Sequence, residues 1–228
     1  MFYIDPWYLI LVLPAALFGG FAQMKISSTY RRYAGVQSRR GVTASFAADA
    51  ILRRNGVSGV SLERIGGRLS DHYDPRSQTI RLSSYDSQSV ADIGVAAHEA
   101  GHALQYAQNY FPIRLRAAIL PITSFGSNLA PILILLGLFL YPPLFLIGIV
   151  LFSTVTLFQL VTLPVELDAS RRAMTALEEQ SILTEDELVG ARKVLSAAAL
   201  TYVAALLVSM ANLLRLILLF AGQQRRRD

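Results

Sequence analysis

The sequence contains no cysteine and only three histidines in 228 residues. Without cysteine there can be no disulfide framework and no thiolate metal ligand, and this absence agrees with a location at the cytoplasmic face of a membrane. The first apolar segment, residues 4–23, has no lysine or arginine before it and carries Asp5 near its start. Because a secretory signal begins with positive charge, we expect this segment to remain as a membrane anchor.

Charged residues are also few, at 16% of the chain against 53% hydrophobic residues. Residues 117–163 carry no charge, and Tyr141, Pro142 and Pro143 divide them into two spans of about 20 residues, long enough to cross a hydrocarbon core. Residues 195–221 form another apolar segment, interrupted by Arg215. The composition predicts an α-helical integral membrane protein with about four membrane helices in contact with the lipid bilayer.

Positive charges cluster directly after the first span, at Lys25, Arg31, Arg32, Arg39 and Arg40. The positive-inside rule then places the N-terminus outside and the following polar region in the cytoplasm. A nucleic-acid surface is the alternative interpretation of these charges, but their position beside a span favours a topology signal, and we expect no nucleic-acid partner. A complete fourth crossing would leave the arginines at 225–227 outside, against the positive-inside rule. This conflict and the charge of Arg215 within the segment favour a kinked, partly interfacial helix at 195–221.

A small α+β region is predicted between the first span and the hairpin. Residues 43–55 predict an amphipathic helix with Phe46, Ala50 and Ile51 on one side, and alternation over 57–83 predicts strands near 60–65, 68–72 and 79–83. A polar helical stretch is predicted at 166–193. The expected segments are an anchor at 1–23, a basic linker and catalytic region at 24–116, a hairpin at 117–163, a helix with a metal ligand at 164–194, and a membrane helix with a basic tail at 195–228.

One short string, His98-Glu99-Ala100-Gly101-His102, indicates a chemistry. With Ser89 as N-cap, residues 90–108 predict a helix, and histidines four residues apart then share one face, about 5–6 Å apart at Cβ. They can bind one zinc ion, with Glu99 placed to take a proton from water and pass it to a leaving amine. Two packed histidines without a metal are the alternative. Gly101 indicates either a close backbone neighbour or a tolerated small residue.

A zinc protease site needs a third protein ligand. Glu166 and Asp168 are candidates because two membrane crossings return the chain to the side of the zinc helix. The alternative for Glu166 is a carboxylate at a helix start after Pro164, stabilised by the helix dipole.

Three strings, at residues 69–76, 95–105 and 166–173, resemble the YugP-type neutral zinc metallopeptidases of bacteria, which in turn resemble the HtpX and CAAX prenyl endopeptidases. The resemblance implies a gluzincin site in a zincin-like cytoplasmic region, with His98, His102 and Glu166 as zinc ligands and Glu99 as general base. It implies an endopeptidase of the bacterial inner membrane that acts on proteins or peptides, membrane proteins among them. Where the HtpX type has an aspartate this chain has Ser170, so Asp168 or Ser170 could orient a ligand histidine.

Other residues allow two or more interpretations. His72 could be a fourth ligand, an oxyanion stabiliser or a structural histidine, and Arg171 could stabilise an oxyanion or lie at lipid headgroups. The strand before the zinc helix is either an edge strand that pairs with the substrate backbone or an ordinary sheet strand; its residues are Thr79, Ile80, Arg81, Leu82 and Ser83.

Three other functions compete with a membrane-surface endopeptidase. An intramembrane site-2-type protease would carry the motif within a lipid-spanning helix, and the many polar residues near His98 argue against this. A non-catalytic zinc-stabilised scaffold would not need Glu99. A transporter or channel has little support in four spans that show no buried charge pair.

Overall fold

The computed structural model describes residues 5–67 and 69–224. The chain is mostly helical, with one small sheet. Its elements are a π-helical turn at Tyr8–Val12, then α1 (Leu13–Ala34), α2 (Ala44–Arg54), β1 (Ser61–Arg64), β2 (His72–Asp74), β3 (Thr79–Leu82), α3 (Val90–Ala107), α4 (Phe111–Phe139), α5 (Pro142–Glu179) and α6 (Glu185–Gln224).

Four of the helical segments are long and apolar enough to cross a membrane. They are Tyr8–Ala34, Phe111–Phe139, Pro142–Glu179 and Glu185–Gly222, with mean hydropathies of 1.8, 1.8, 2.4 and 2.3. The described residues thus contain four candidate membrane helices, the number that the sequence predicts. In the part of the chain that the structure describes, α3, which carries the histidine motif, is not among these four segments.

The contacts divide the chain into two compact units, the first containing Met1–Ala22, Arg114–Leu163 and Thr201–Asp228. Within this unit α4 and α5 pack closely where glycine replaces a side chain. A Cβ added to Gly126 would lie 2.9 Å from the carbonyl oxygen of Leu151. Small residues are what allow apolar helices to approach this closely in lipid, where dispersion contacts drive packing.

An ion pair joins the two ends of the chain in this unit. The Arg215 guanidinium donates to Asp5 Oδ2 at 2.6 Å and lies 5.4 Å from the ring centre of Tyr8. The side chains of Arg215 and Asp5 are 26% and 12% exposed, so this is a partly buried pair and does not contradict the expectation of spans without a buried one. Sequence patterns do not show such a contact across 210 residues. α6 continues without interruption to Gln224, so Arg215 does not end the helix. The kinked, partly interfacial course of residues 195–221 stays a prediction. The basic tail at 225–227 lies outside the described residues.

The second unit contains Gln23–Ile113 and Pro164–Leu200. Its sheet has the order β1-β3-β2, with β1 parallel and β2 antiparallel to β3. β1 and β3 confirm the strands expected near 60–65 and 79–83. The strand expected at 68–72 is displaced: Arg68 lies outside the described residues, Leu69 adopts a left-handed φ of 54° that extended backbone excludes, and pairing begins only at His72.

The core of the second unit forms where α2 and β3 pack with α3 and the polar ends of α5 and α6. Its fully buried side chains include Ile51, Ile80, Ile93 and Leu177. Thr43 caps α2 by accepting the Phe46 amide, as the sequence predicts for residues 43–55. The expected apolar face is confirmed for Ile51, which is fully buried, and for Ala50, which packs against the core. It is wrong for Phe46, which is 55% exposed, and the small residues Ala44, Ala47 and Ala48 complete the buried face instead.

The helix expected to start after Pro164 does not start there. α5 runs through Pro164 without a break and ends at Glu179, and α6 begins at Glu185. A proline removes only one backbone donor, and the rest of the helix keeps its bonds because an apolar environment offers no water to replace them. The polar stretch at 166–193 is therefore the end of one long helix and the start of the next.

We predict that Asp5→Asn destabilises the protein by roughly 3 kcal/mol, because it leaves the Arg215 charge without a partner in an apolar helix. Thermal unfolding of the purified protein in detergent measures the effect. The double variant Asp5→Asn/Arg215→Gln should recover most of the loss. Asp49→Asn is the matched control, since its partner Arg53 is 80% exposed and such pairs contribute about 0–1 kcal/mol. Equal effects of Asp5→Asn and Asp49→Asn would contradict the prediction.

Candidate metal centre

α3 places the two motif histidines on one face, as predicted. The hydroxyl of Ser89 caps the helix by accepting the Asp92 amide. The ring centres of His98 and His102 lie 4.7 Å apart with their planes nearly perpendicular. The helical spacing of the motif therefore produces the paired imidazoles that it predicts.

α5 brings Glu166 against both imidazoles. Oε2 of Glu166 lies 3.2 Å from Nε2 of His98 and 3.5 Å from Nε2 of His102. The three side chains form a group whose ligand atoms all lie within 4.8 Å of one another and which could hold a metal ion. Two imidazole nitrogens and one carboxylate oxygen are donors that suit zinc, and three protein ligands leave a fourth position open.

The approach of α5 to α3 depends on Gly101. A Cβ added at this position would lie 2.5 Å from the carbonyl oxygen of Ala169, closer than any carbon can approach. Of the two interpretations of Gly101, the close backbone neighbour is confirmed, and the neighbour belongs to the helix that carries Glu166.

The second ring nitrogen of each histidine also has a partner. Nδ1 of His98 lies 3.1 Å from Oγ of Ser170, and Nδ1 of His102 lies 3.0 Å from Oε1 of Gln105. With both Nδ1 atoms engaged, the Nε2 atoms are left to face Glu166. Hydrogen bonds of this kind fix the orientation and tautomer of metal-binding histidines.

Gln105 is the residue that the sequence analysis missed. It is fully buried, and its amide nitrogen donates to Asp168 Oδ2 at 2.9 Å and to the Val165 carbonyl at 2.8 Å. A signal was present, because Gln105 lies three residues after His102 and so on the same helical face. Asp168 is thus connected to His102 through Gln105, whereas Ser170 touches His98 directly.

Asp168 turns away from the three-residue group and toward cations. Arg171 and Arg172 both pair with its carboxylate. The side chain of Arg171 is 76% exposed. The structure thus brings Glu166, and not Asp168, to the histidines, and it places Arg171 on Asp168.

His72 lies outside the group of possible ligands found among the described residues, which disfavours only the fourth-ligand interpretation, and β3 is the central strand of the sheet. Nδ1 of His72 lies 2.9 Å from the Ser70 carbonyl oxygen, and His72 is outside the group of possible ligands. β3 has β1 on one side and β2 on the other. Of the two interpretations of Thr79–Ser83, the edge strand is therefore wrong and the ordinary sheet strand is confirmed. A strand paired on both sides has no free backbone groups to offer a peptide, and in the sheet formed by the described residues the edges are β1 and β2.

The electrostatics of the group favour a cation. Burial acts to lower the pKa of His102, but the hydrogen bond to Glu166 and the charges of Glu99 and Glu166 outweigh it and raise the pKa. Glu99 follows His98 on α3 and is 8% exposed. Two carboxylates beside two imidazoles therefore stabilise positive charge, whether it is a proton or a metal ion.

Comparison with known proteins agrees with this arrangement. The sequence profile of a family described as "Putative neutral zinc metallopeptidase" matches residues 8–221. The chain is 43% identical over 216 residues to "Putative membrane protease YugP" of Bacillus subtilis (strain 168), covering 93% of this chain and 96% of that protein. No solved structure matches the chain.

We predict that Gly101→Ala lowers zinc binding at least tenfold, because the new methyl group must push Ala169, and Glu166 with it, away from the histidines. Metal analysis of the purified protein after dialysis against a weak chelator measures this. Gly94→Ala on the same helix is the control, since its Cβ would meet Ala191 Cβ at an ordinary 3.4 Å. Wild-type zinc content in Gly101→Ala would show that the close contact does not position the ligands.

Proposed function

The chain belongs to the neutral zinc metallopeptidase family, and on this premise we propose that it is a membrane-anchored zinc endopeptidase with a gluzincin site in a zincin-like region. The observation that carries the proposal is the convergence of His98, His102 and Glu166 beside Glu99. Protein or peptide chains, including those of membrane proteins, are the proposed substrates.

In this proposal His98, His102 and Glu166 hold the zinc ion, and Glu99 is the general base. Bound zinc supplies the Lewis acidity that polarises a scissile carbonyl and makes water easier to deprotonate near neutral pH. The Glu99 carboxylate takes the proton of the attacking water and returns it to the nitrogen of the leaving amine. Ser170 and Gln105 keep the two imidazoles in the tautomer that presents Nε2 to the metal, and Asp168 holds Gln105 in place.

We place the site at the membrane surface, on the cytoplasmic side. Support for the surface location comes from α3, which lies outside the four segments long and apolar enough to cross; an intramembrane protease would need its motif within such a segment. Support for the cytoplasmic side comes from the basic residues that follow the first span, by the positive-inside rule. We propose the bacterial inner membrane on the resemblance to bacterial relatives.

The experiment that tests the function is Glu99→Gln. The amide keeps the size of the side chain but cannot accept the proton of water, so hydrolysis of a casein or peptide substrate should fall by at least 100-fold. Zinc content should stay at the wild-type value because the ligands are unchanged. Loss of casein hydrolysis on chelation and its recovery on adding zinc complete the test.

Two results would contradict the proposal. Activity of Glu99→Gln within a few-fold of wild type would remove Glu99 from the mechanism. A protein that binds zinc and unfolds on chelation, yet hydrolyses no substrate, would instead indicate a zinc-stabilised scaffold.

The third ligand has its own test. Glu166→Ala should lower zinc affinity by an order of magnitude or more, because it removes a donor atom. Asp168→Ala should have the smaller effect, since Asp168 acts on His102 only through Gln105. Zinc titration with a competing chelator measures both variants, and the opposite order would assign the ligand to Asp168.

A further inference from the structure

A basic groove lies between the C-terminal part of α1 and the N-terminal part of α6, apart from the metal centre. Its volume is about 660 Å³, within the range of about 300–1,000 Å³ common for ligand pockets. Four cationic side chains line it, Lys25 and Arg32 from α1 and Arg192 and Lys193 from α6. No aspartate or glutamate is among its lining residues, and no carboxylate in residues 5–67 and 69–224 pairs with these four cations. The lining of the groove therefore carries four positive charges and no negative one, and the acidic residue Glu178 lines an adjoining cavity together with Arg192.

The rest of the lining is divided between hydrogen-bond donors and apolar surface. Ser28, Thr29 and Ser196 contribute hydroxyl groups, while Ala197 and Leu200 contribute an apolar part. A ligand that fits this lining has an anionic group with several acceptor oxygens joined to a hydrocarbon portion. A phosphate diester attached to acyl chains has this chemistry.

The sequence places the groove at the level of lipid headgroups. Lys25 is the first charged residue after the uncharged run 6–24, and Lys193 is the last before the uncharged run 194–214. On both helices the groove thus lies where a charged segment meets a long uncharged run. Phosphate groups of a bilayer lie at this boundary, and basic pockets between membrane helices suit their headgroups.

We propose that this groove binds the phosphate of an anionic phospholipid such as phosphatidylglycerol. A zwitterionic lipid also has a phosphate, but its choline cation would be repelled by the four positive side chains. Arg192 and Ser196 also line a neighbouring cavity of about 330 Å³ that includes Ser170, the partner of His98. A headgroup held in the groove would therefore contact Arg192 and Ser196, which also face the cavity that contains Ser170.

The test is titration of the full-length protein in neutral detergent with phosphatidylglycerol or phosphatidylcholine of identical acyl chains, followed by native mass spectrometry. Wild type should bind phosphatidylglycerol in preference. Since each cation near an anionic surface is worth about fivefold in affinity, Arg192→Gln/Lys193→Gln should bind it about 25-fold more weakly. The matched control is Arg31→Gln/Arg40→Gln, which removes the same charge from two exposed residues that do not line the groove; it should bind as wild type does.

Several results would overturn the proposal. Equal losses in the two double variants would mean general surface attraction, and equal binding of the two lipids would mean no recognition of charge. Competition by millimolar inorganic phosphate as strong as that by lipid would mean a site for free anions. Thermal unfolding in detergent checks folding of each variant independently of zinc. Should the groove variant not fold, Lys193→Gln alone is expected to weaken binding about fivefold and decides the same question.

Discussion

The close contact between Gly101 and the backbone of Ala169 is the constraint on which the arrangement of His98, His102 and Glu166 depends. On α3, His98 lies three residues before Gly101 and His102 one residue after it. On α5, Glu166 lies three residues before Ala169 and Ser170 one residue after it. Because residues three and four apart share a helical face, a single contact between two backbones aligns the possible ligands and a supporting hydroxyl at once. A methyl group at position 101 would push α5 away from α3, and so move Glu166 and Ser170 away from the two histidines.

Helix geometry gives the carboxylates of Glu166 and Asp168 different partners although they are close in sequence. Glu166 and Asp168 are two residues apart, which on a helix is about 200° of rotation, so they point in nearly opposite directions. Glu166 meets His98 and His102, while Asp168 meets Gln105, Arg171 and Arg172. Asp168 still acts on the site through Gln105, which touches His102. Each buried carboxylate thus has polar partners, arginines and an amide for Asp168 and two imidazoles for Glu166, as burial requires.

The long helices serve both the membrane and the site. α5 runs from an apolar first part to Glu166 without interruption, and α6 runs from the basic residues Arg192 and Lys193 into an apolar second part. A proline at position 164 does not divide α5, because its neighbours keep their backbone bonds. Because both helices are continuous, Glu166 lies directly after the apolar part of α5, and Arg192 and Lys193 lie directly before the apolar part of α6. α5 thus carries one of the possible metal ligands, and α6 carries two of the four cations of the groove.

The sequence alone determined the features that depend on short-range spacing and on composition. The paired histidines with Glu99, the Ser89 cap, the four apolar helices and the strands at β1 and β3 all follow from local patterns. Tertiary structure decided what depends on contacts between distant segments: that Glu166 and not Asp168 meets the histidines, that Gln105 supports His102, that β3 is central, and that Asp5 pairs with Arg215. The physical reason is that periodicity specifies which face a residue occupies on its own helix or strand, whereas the group that this face meets is chosen by the packing of elements far apart in the chain.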